Sequence, residues 1–281
     1  MGQSPLKGIA LNWPFRKEAY EAFCAEVWPV IDAIPGYLHR LEAFFLYQTA
    51  RTLQPARSVD QPPANSVVEI GSYKGRSTAA IGLGLRRNAS GPWRLYCVDH
   101  FFQNQGEPGL KEAFLANVQR AGLEGVVTCL PEASSEAVKR WPVERGIAML
   151  WIDGNHDEAF VRDDFQLWKR FVVPGGVVAF DDWYLLGVRR VILDDLFPDP
   201  TFQDLAVIDH NLIAATKVDT LPTREQNARK RRIYWTLRTG SLNPWRAGVV
   251  MAGEWVNRPF GHVGRFFTDR LPLQRITNDR R

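Results

Sequence analysis

Hydrophobic residues follow a helical period at the start of the chain and form short continuous runs after residue 65. Apolar positions at helical spacing predict helices over residues 15–53, with a break near Pro29 and at Pro35-Gly36. A linker rich in Pro, Ser and Gln follows at 55–65. Beyond it, apolar and β-branched runs alternate with helix-length segments, which indicates a change from a helical unit to an α/β domain.

Five apolar runs have the length and composition of buried strands. They cover 66–71, 94–99, 126–130, 147–153 and 176–181. The segments of helical spacing between them are 77–87, 110–121, 134–141 and 159–171. Parallel strands need such crossovers, and helices on both faces of a sheet explain why the runs are continuously apolar. The pattern predicts an open, doubly wound, Rossmann-like α/β fold with a mostly parallel sheet.

The last two strands are predicted to form a hairpin. Runs at 202–208 and 211–218 are separated only by Asp209-His210, which is too short for a crossover. We therefore expect an antiparallel pair at the edge of a seven-stranded sheet. The chain then divides into an N-terminal helical cap (1–54), the α/β domain (55–218) and a basic, aromatic-rich C-terminal extension (219–281).

Charge is distributed unevenly along the chain. The net charge is +4, but residues 218–281 contain thirteen Lys and Arg against five Asp and Glu, so the remainder is mildly acidic. This segment includes Trp245, Trp255 and Phe260, and it can pack on the parent domain, lie on an anionic membrane or contact RNA. Packing on the domain is the simplest interpretation, and contact with an anionic membrane is the second.

The cysteines and the N-terminal residues indicate the cellular location of the protein. Cys24, Cys97 and Cys129 lie far apart, with a spacing that suits neither a zinc site nor a disulfide framework. The sequence shows no export signal and no membrane-spanning apolar run. We expect a cytoplasmic protein that the basic extension can hold at the inner face of the membrane.

Residues at the carboxyl ends of the strands are the candidates for chemistry, because ligands of open α/β sheets collect there. The first strand ends in Glu69-Ile-Gly71-Ser-Tyr-Lys-Gly75-Arg-Ser77, where the glycines let a ligand approach the backbone and Ser77 is expected to cap the next helix. The loop lacks the Lys-Ser/Thr ending of a nucleotide phosphate loop. Asp99, thirty positions after Glu69, can accept hydrogen bonds from both ribose hydroxyls. The pattern favours an adenosine-containing ligand; alternatively, the glycines only turn the chain and Asp99 only caps a loop.

Three ordered segments carry a family resemblance: 67–78 (VVEIGSYKGRST), 151–156 (WIDGNH) and 173–182 (VPGGVVAFDD). They resemble the first motif and the fourth and fifth strands of class I S-adenosylmethionine-dependent methyltransferases, in the variant typical of bacterial metal-dependent sugar O-methyltransferases (macrocin O-methyltransferase-like). The resemblance covers roughly residues 40–217. It implies an S-adenosylmethionine site with Asp99 on the ribose and Ser134 near the adenine. The other cofactor contacts that it implies are Glu69, Gly71, Ser72, Tyr73, Gly75 and Ser77.

Three carboxylates are predicted to meet at one edge of the sheet. Asp153 ends the fourth strand, and Asp181 and Asp182 end the fifth. Neighbouring strands lie about 5 Å apart, so these acids would repel one another unless a hard divalent cation sat between them. Oxygen ligands favour Mg²⁺, and the resemblance implies such a metal on the acceptor. The alternative is that Asp181 and Asp182 cap a turn and Asp153 contacts the cofactor.

His156 is the candidate general base. It lies three residues after Asp153, and a histidine can take a hydroxyl proton near neutral pH. Asn155 stands where some relatives in the resembling family have Asp, and because an amide cannot accept the proton, the role passes to His156 or to the metal alone. The alternative is that His156 is a structural or solvated loop residue. Arg162, Asp163 and Asp164 on the next predicted helix are interpreted as a solvated face.

Three functions follow from these observations. The first is O-methylation of a hydroxyl on a sugar or glycosylated natural product, with a small-molecule or glycan acceptor. The second is an RNA methyltransferase that uses the basic extension, although the acidic body would repel a phosphate backbone. The third is a cofactor-binding module without catalysis.

Overall fold

The computed structural model of the chain describes residues 16–55, 65–102, 108–208 and 211–239. Its strands are β1 (Ser66–Ile70), β2 (Arg94–Val98), β3 (Val127–Leu130), β4 (Ile147–Ile152), β5 (Val172–Phe180), β6 (Phe202–Ile208) and β7 (Leu212–Lys217). Its α-helices are α1 (Lys17–Glu26), α2 (Trp28–Asp32), α3 (Arg40–Thr52), α4 (Arg76–Arg86), α5 (Leu110–Arg120), α6 (Ser134–Ala137), α7 (Glu158–Trp168), α8 (Leu186–Val191) and α9 (Arg224–Thr239).

The strands form one seven-stranded sheet in the order β3-β2-β1-β4-β5-β7-β6. Strands β1 to β5 pair in parallel, whereas β7 is antiparallel to both β5 and β6. The predicted Rossmann-like fold and its antiparallel edge pair are therefore confirmed. Strand order reverses between β1 and β4, so the carboxyl ends of these two strands border the crevice where ligands bind in such sheets.

Burial explains why the central strands are mostly apolar. Every residue of β1 and of β4 is buried, because helices cover both faces of the sheet. Strand β5 begins at Val172, four residues before the predicted start at Gly176. The sequence Pro174-Gly175-Gly176 is typical of a turn, but here it is accommodated by a shift in register between β4 and β5.

The N-terminal helices share a hydrophobic core with one face of the sheet. Phe23 of α1 packs against Phe44 and Tyr47 of α3, with ring centroids 5.2 and 5.3 Å apart. Helix α3 in turn approaches α4 closely: a Cβ on Gly84 would lie 2.3 Å from the carbonyl oxygen of Tyr47. This segment is therefore fixed against the helix that follows the glycine loop.

Helix α9 packs on the edge of the sheet through its apolar side. Ile233 and Leu237 are buried among residues that include Phe202 of β6. The buried ammonium of Lys230 donates to the carbonyl oxygens of Asp199 and Phe202, and burial lowers the pKa of Lys230 to about 8. In the part of the chain that the structure describes, no helix has both the length and the apolarity needed to cross a membrane. The predicted tail aromatics Trp245, Trp255 and Phe260 lie outside these residues.

Candidate active site

The chain turns sharply between β1 and α4. Gly71 and Gly75 have φ angles of 87° and 89°, in the left-handed region that glycine adopts readily. The N–H of Gly71 donates to the carbonyl oxygen of Val98, 2.9 Å away. A Cβ on Gly71 would lie 2.1 Å from the carbonyl oxygen of Asp153, so a side chain at this position would collide with the end of β4. The loop is thus held in close contact with both neighbouring strands.

Asp99, directly after β2, is hydrogen-bonded to this loop. Its Oδ2 accepts the backbone N–H groups of Ser72 and Tyr73 at 3.0 and 2.8 Å, and its Oδ1 accepts the N–H of Phe101 at 2.7 Å. An ionised carboxylate has about four acceptor positions, so three donors leave room for a further one. The structure therefore brings Asp99, Ser72 and Tyr73 together, at the edge where the sequence predicts them.

Glu69 lies beneath the loop rather than in its wall. Its side chain is fully buried, and the Thr78 hydroxyl donates to its Oε2. Burial raises the pKa of Glu69, while hydrogen bonds from Ser77 and Thr78 act in the opposite direction. In this conformation Glu69 joins β1 to α4 and has no solvent-accessible side chain for a direct ligand contact.

The prediction that Ser77 caps α4 is wrong. The helix begins at Arg76, and Gly75 occupies the position before it, so Ser77 lies in the first turn. Because Gly75 is left-handed, the chain reaches helical geometry two residues earlier than a serine cap would require. The hydroxyl of Ser77 instead hydrogen-bonds the buried Glu69 carboxylate.

Ser134 forms a hydrogen bond that was not predicted from the sequence. Its hydroxyl donates to Oδ1 of Asp164. Asp164 is only 5% exposed, so its interpretation as part of a solvated face is wrong. Burial raises its pKa to about 6, with a smaller contribution from the neighbouring Asp163, while the Ser134 hydrogen bond lowers it. A Cβ on Gly154 would lie 3.5 Å from Oδ2 of Asp164, which puts this carboxylate beside the loop after β4.

The spacing of apolar residues on α7 could have revealed Asp164. Val161, Phe165 and Trp168 are buried at intervals of four and three residues, which defines the inward face of the helix. Asp164, three residues after Val161, falls on that same face. The position of Asp164 on this apolar face, rather than its charge, indicates that its side chain is buried.

His156 lies between two of the predicted acids. Its Nε2 is 3.7 Å from Oδ1 of Asp153 and 3.5 Å from Oδ2 of Asp182. Asp182 is buried and has a φ of 50°, a strained conformation that turns the chain at the end of β5. Asp181 is also buried, and its N–H donates to the carbonyl oxygen of Ile152. The structure thus brings Asp153, His156 and Asp182 together.

The loop that carries His156 is itself well packed. Asn155 Oδ1 accepts the N–H of Asp157 at 2.8 Å, so the amide shapes the loop. A Cβ on Gly187, at the start of α8, would lie 2.2 Å from the carbonyl oxygen of His156. The backbone of His156 is therefore fixed by α8, while its side chain remains one-third exposed.

The predicted metal ligands have no metal-binding arrangement in the structure. Within the described ranges, no group of three or more His, Cys, Asp or Glu is placed to hold a metal ion. His156 Nε2 lies between two of these acids, 3.7 Å from Oδ1 of Asp153 and 3.5 Å from Oδ2 of Asp182.

The comparisons with known proteins agree with the fold and its active-site edge. A family model described as a methyltransferase domain matches residues 68–183, the stretch that contains the glycine loop, Asp99 and the His156 loop. This segment is therefore similar to a methyltransferase domain, which supports an enzyme that transfers methyl groups.

Solved structures of low sequence identity share the fold at a TM-score of 0.50. Cofactor-bound Rv0187 from MTB is 17% identical, and the match covers 78% of this chain and 100% of that one. The O-methyltransferase TomG from Streptomyces achromogenes, involved in tomaymycin synthesis and solved with SAM, is 16% identical, with 78% and 91% covered. The SAH-bound Podospora anserina methyltransferase PaMTH1 is 14% identical, with 75% and 100% covered.

Proposed function

We propose that this enzyme is an S-adenosylmethionine-dependent O-methyltransferase that acts on a hydroxyl of a sugar or glycosylated natural product. The methyltransferase-domain match supports the reaction class. The bound SAM of TomG and the bound SAH of PaMTH1 support S-adenosylmethionine as the methyl donor. The O-methyltransferase activity named for TomG supports an oxygen atom as the methyl acceptor. A sugar hydroxyl as the methyl acceptor is supported by the resemblance of segments 67–78, 151–156 and 173–182 to the macrocin O-methyltransferase-like family.

The main observation that supports this proposal is the contact of Asp99 with the glycine loop. Asp99 fixes the backbone of Ser72 and Tyr73 and keeps acceptor capacity beside it. These residues fit an adenosyl group, with Asp99 accepting a hydrogen bond from one ribose hydroxyl and Ser134, oriented by the buried Asp164, on the adenine side. When bound, S-adenosylmethionine supplies an electrophilic methyl group on a sulfonium.

His156 has the environment of a general base. Its Nε2 lies 3.7 Å from Oδ1 of Asp153 and 3.5 Å from Oδ2 of Asp182, so we assign the N–H of the ring to Nε2. Nδ1 is then the nitrogen that takes the acceptor hydroxyl proton, while the oxygen attacks the methyl group. Gly71 lies against the backbone of Asp153, three residues before His156.

Magnesium assistance by Asp153, Asp181 and Asp182 is a separate hypothesis. The described residues do not fit a metal site, and no step above depends on one. Dialysis against EDTA followed by MgCl₂ tests it: activity that disappears and returns would support the ion, and unchanged activity would discard it.

Transfer of a tritiated methyl group from S-adenosylmethionine to a panel of mono- and oligosaccharides tests the reaction. The proposal predicts a labelled methyl ether that survives alkaline hydrolysis, together with one S-adenosylhomocysteine per methyl. Label that alkali releases would indicate a carboxyl acceptor instead. Cofactor binding without turnover on any hydroxyl acceptor would favour the non-catalytic module.

A further inference from the structure

One side of α9 presents arginines around an exposed tryptophan. The buried residues Lys230, Ile233 and Leu237 define the side that packs on the domain. The opposite side is exposed and carries Arg224, Ala228, Arg231, Arg232, Trp235 and Arg238, with the exposed Glu225 at its margin. At 100° per residue, Trp235 lies near the centre of this set, with the arginines on either side of it and along the helix axis. We call these six residues the α9 face.

From this geometry we infer that the α9 face docks on an anionic lipid surface. An anionic membrane surface complements the positive charge of these arginines. Each arginine near an anionic leaflet strengthens binding, and tryptophan prefers the headgroup region. The face extends over roughly 21 Å between Arg224 and Arg238, a straight row that matches a planar surface.

The attachment of α9 makes the contact peripheral. The apolar side of the helix is already used against the sheet, through Ile233 and Leu237, so only the polar face meets the lipid. The N-terminal turn is fixed as well, because Thr223 and Gln226 exchange hydrogen bonds across it. A rigid helix with a preformed cationic face loses little conformational freedom when it binds.

Two other occupants fit this face less well. The following residues, 240–281, contain seven arginines against three acidic residues, so their charge does not complement the face. A nucleic acid base would need the Trp235 ring for stacking. That ring already contacts the Arg238 guanidinium at 5.7 Å and the Tyr234 ring edge-on at 5.6 Å.

Co-sedimentation of the full chain with vesicles tests the inference. We expect binding to phosphatidylcholine vesicles that contain phosphatidylglycerol, and little to phosphatidylcholine alone. The double variant Arg231→Gln/Arg232→Gln should lower the partition coefficient about 25-fold, at roughly fivefold per arginine. Trp235→Ala should lower it on the order of tenfold. Raising the salt concentration should weaken binding, because the charges are exposed.

Matched variants control for charge and aromatic surface. Arg16→Gln/Lys17→Gln removes two exposed charges at the start of α1, and Phe160→Ala removes a ring that is 56% exposed, as Trp235 is. Both should bind the vesicles like the unmodified protein. Equal binding by all variants, or no preference for anionic lipid, would overturn the inference. So would binding of polyuridine that the α9 variants abolish while vesicle binding persists, because the face would then be an RNA site.

Discussion

The pH dependence of stability gives a quantitative test of the burial of Asp164, which lies beside the loop after β4. Its carboxyl is buried, and burial raises its pKa from 3.8 to about 6. The folded protein therefore binds this proton more tightly than the unfolded chain does. The contribution of Asp164 to stability is greatest below the unfolded pKa and declines as the pH rises through the folded pKa.

Asp164→Asn removes the titration while keeping an oxygen that can accept the Ser134 hydrogen bond. From the two pKa values, ionisation of Asp164 destabilises the fold by about 1 kcal/mol at about pH 4.5 and by about 3 kcal/mol at about pH 7.5. The free energy of unfolding of the variant, relative to the unmodified protein, should therefore increase by about 2 kcal/mol over this interval. In thermal unfolding, that corresponds to about 4 to 8 °C.

Urea unfolding of the cofactor-free full chain, followed by tryptophan fluorescence at several pH values, measures this difference. Asp194→Asn is a suitable control, because Asp194 is exposed and its substitution should give a small difference that hardly changes with pH. If the difference between Asp164→Asn and the unmodified protein stays constant with pH, Asp164 is not buried as described and the reasoning fails.

Further predictions concern the catalytic loop and the glycine turn. His156→Gln should lower kcat by about 10²- to 10⁴-fold in the methyl transfer assay and leave the affinity for S-adenosylmethionine unchanged by calorimetry, whereas a loss of affinity alone would contradict its role as a base. Gly71→Ala should destabilise the fold by about 2 to 4 kcal/mol, because its Cβ would meet the Asp153 carbonyl at a φ of 87°. Gly125→Ala, with no atom within 4 Å of its Cβ, is the control and should change stability by less than about 0.5 kcal/mol; equal effects at the two positions would contradict the packing of the loop.

The sheet could be predicted from the sequence because its strands are covered on both faces. Continuous apolar runs at β1 and β4 leave few alternatives, and their predicted ends lie within one residue of the observed ones. The start of β5 was missed, because the Pro174-Gly175-Gly176 sequence is usual in turns and its accommodation depends on pairing with β4. Such pairing is a tertiary effect that local sequence does not specify.

The residues at the active-site edge could be predicted because the order and direction of the strands could be predicted. Once parallel strands are ordered, Gly71, Asp99, Asp153 and Asp182 must meet at one edge, and they do. The sequence could not say that His156 would approach both Asp153 and Asp182, since this depends on how α8 supports the loop. The donor site, the base and the metal stay predictions that require binding and activity measurements.

Isothermal calorimetry of S-adenosylmethionine and S-adenosylhomocysteine binding to the full chain tests the central claim most directly. We predict one-to-one binding of each, weakened by about 10- to 100-fold in Asp99→Ala, because hydrogen bonds to the charged carboxylate are lost. Asp194→Asn should bind like the unmodified protein. No binding of either compound, or equal affinity in Asp99→Ala, would contradict the account.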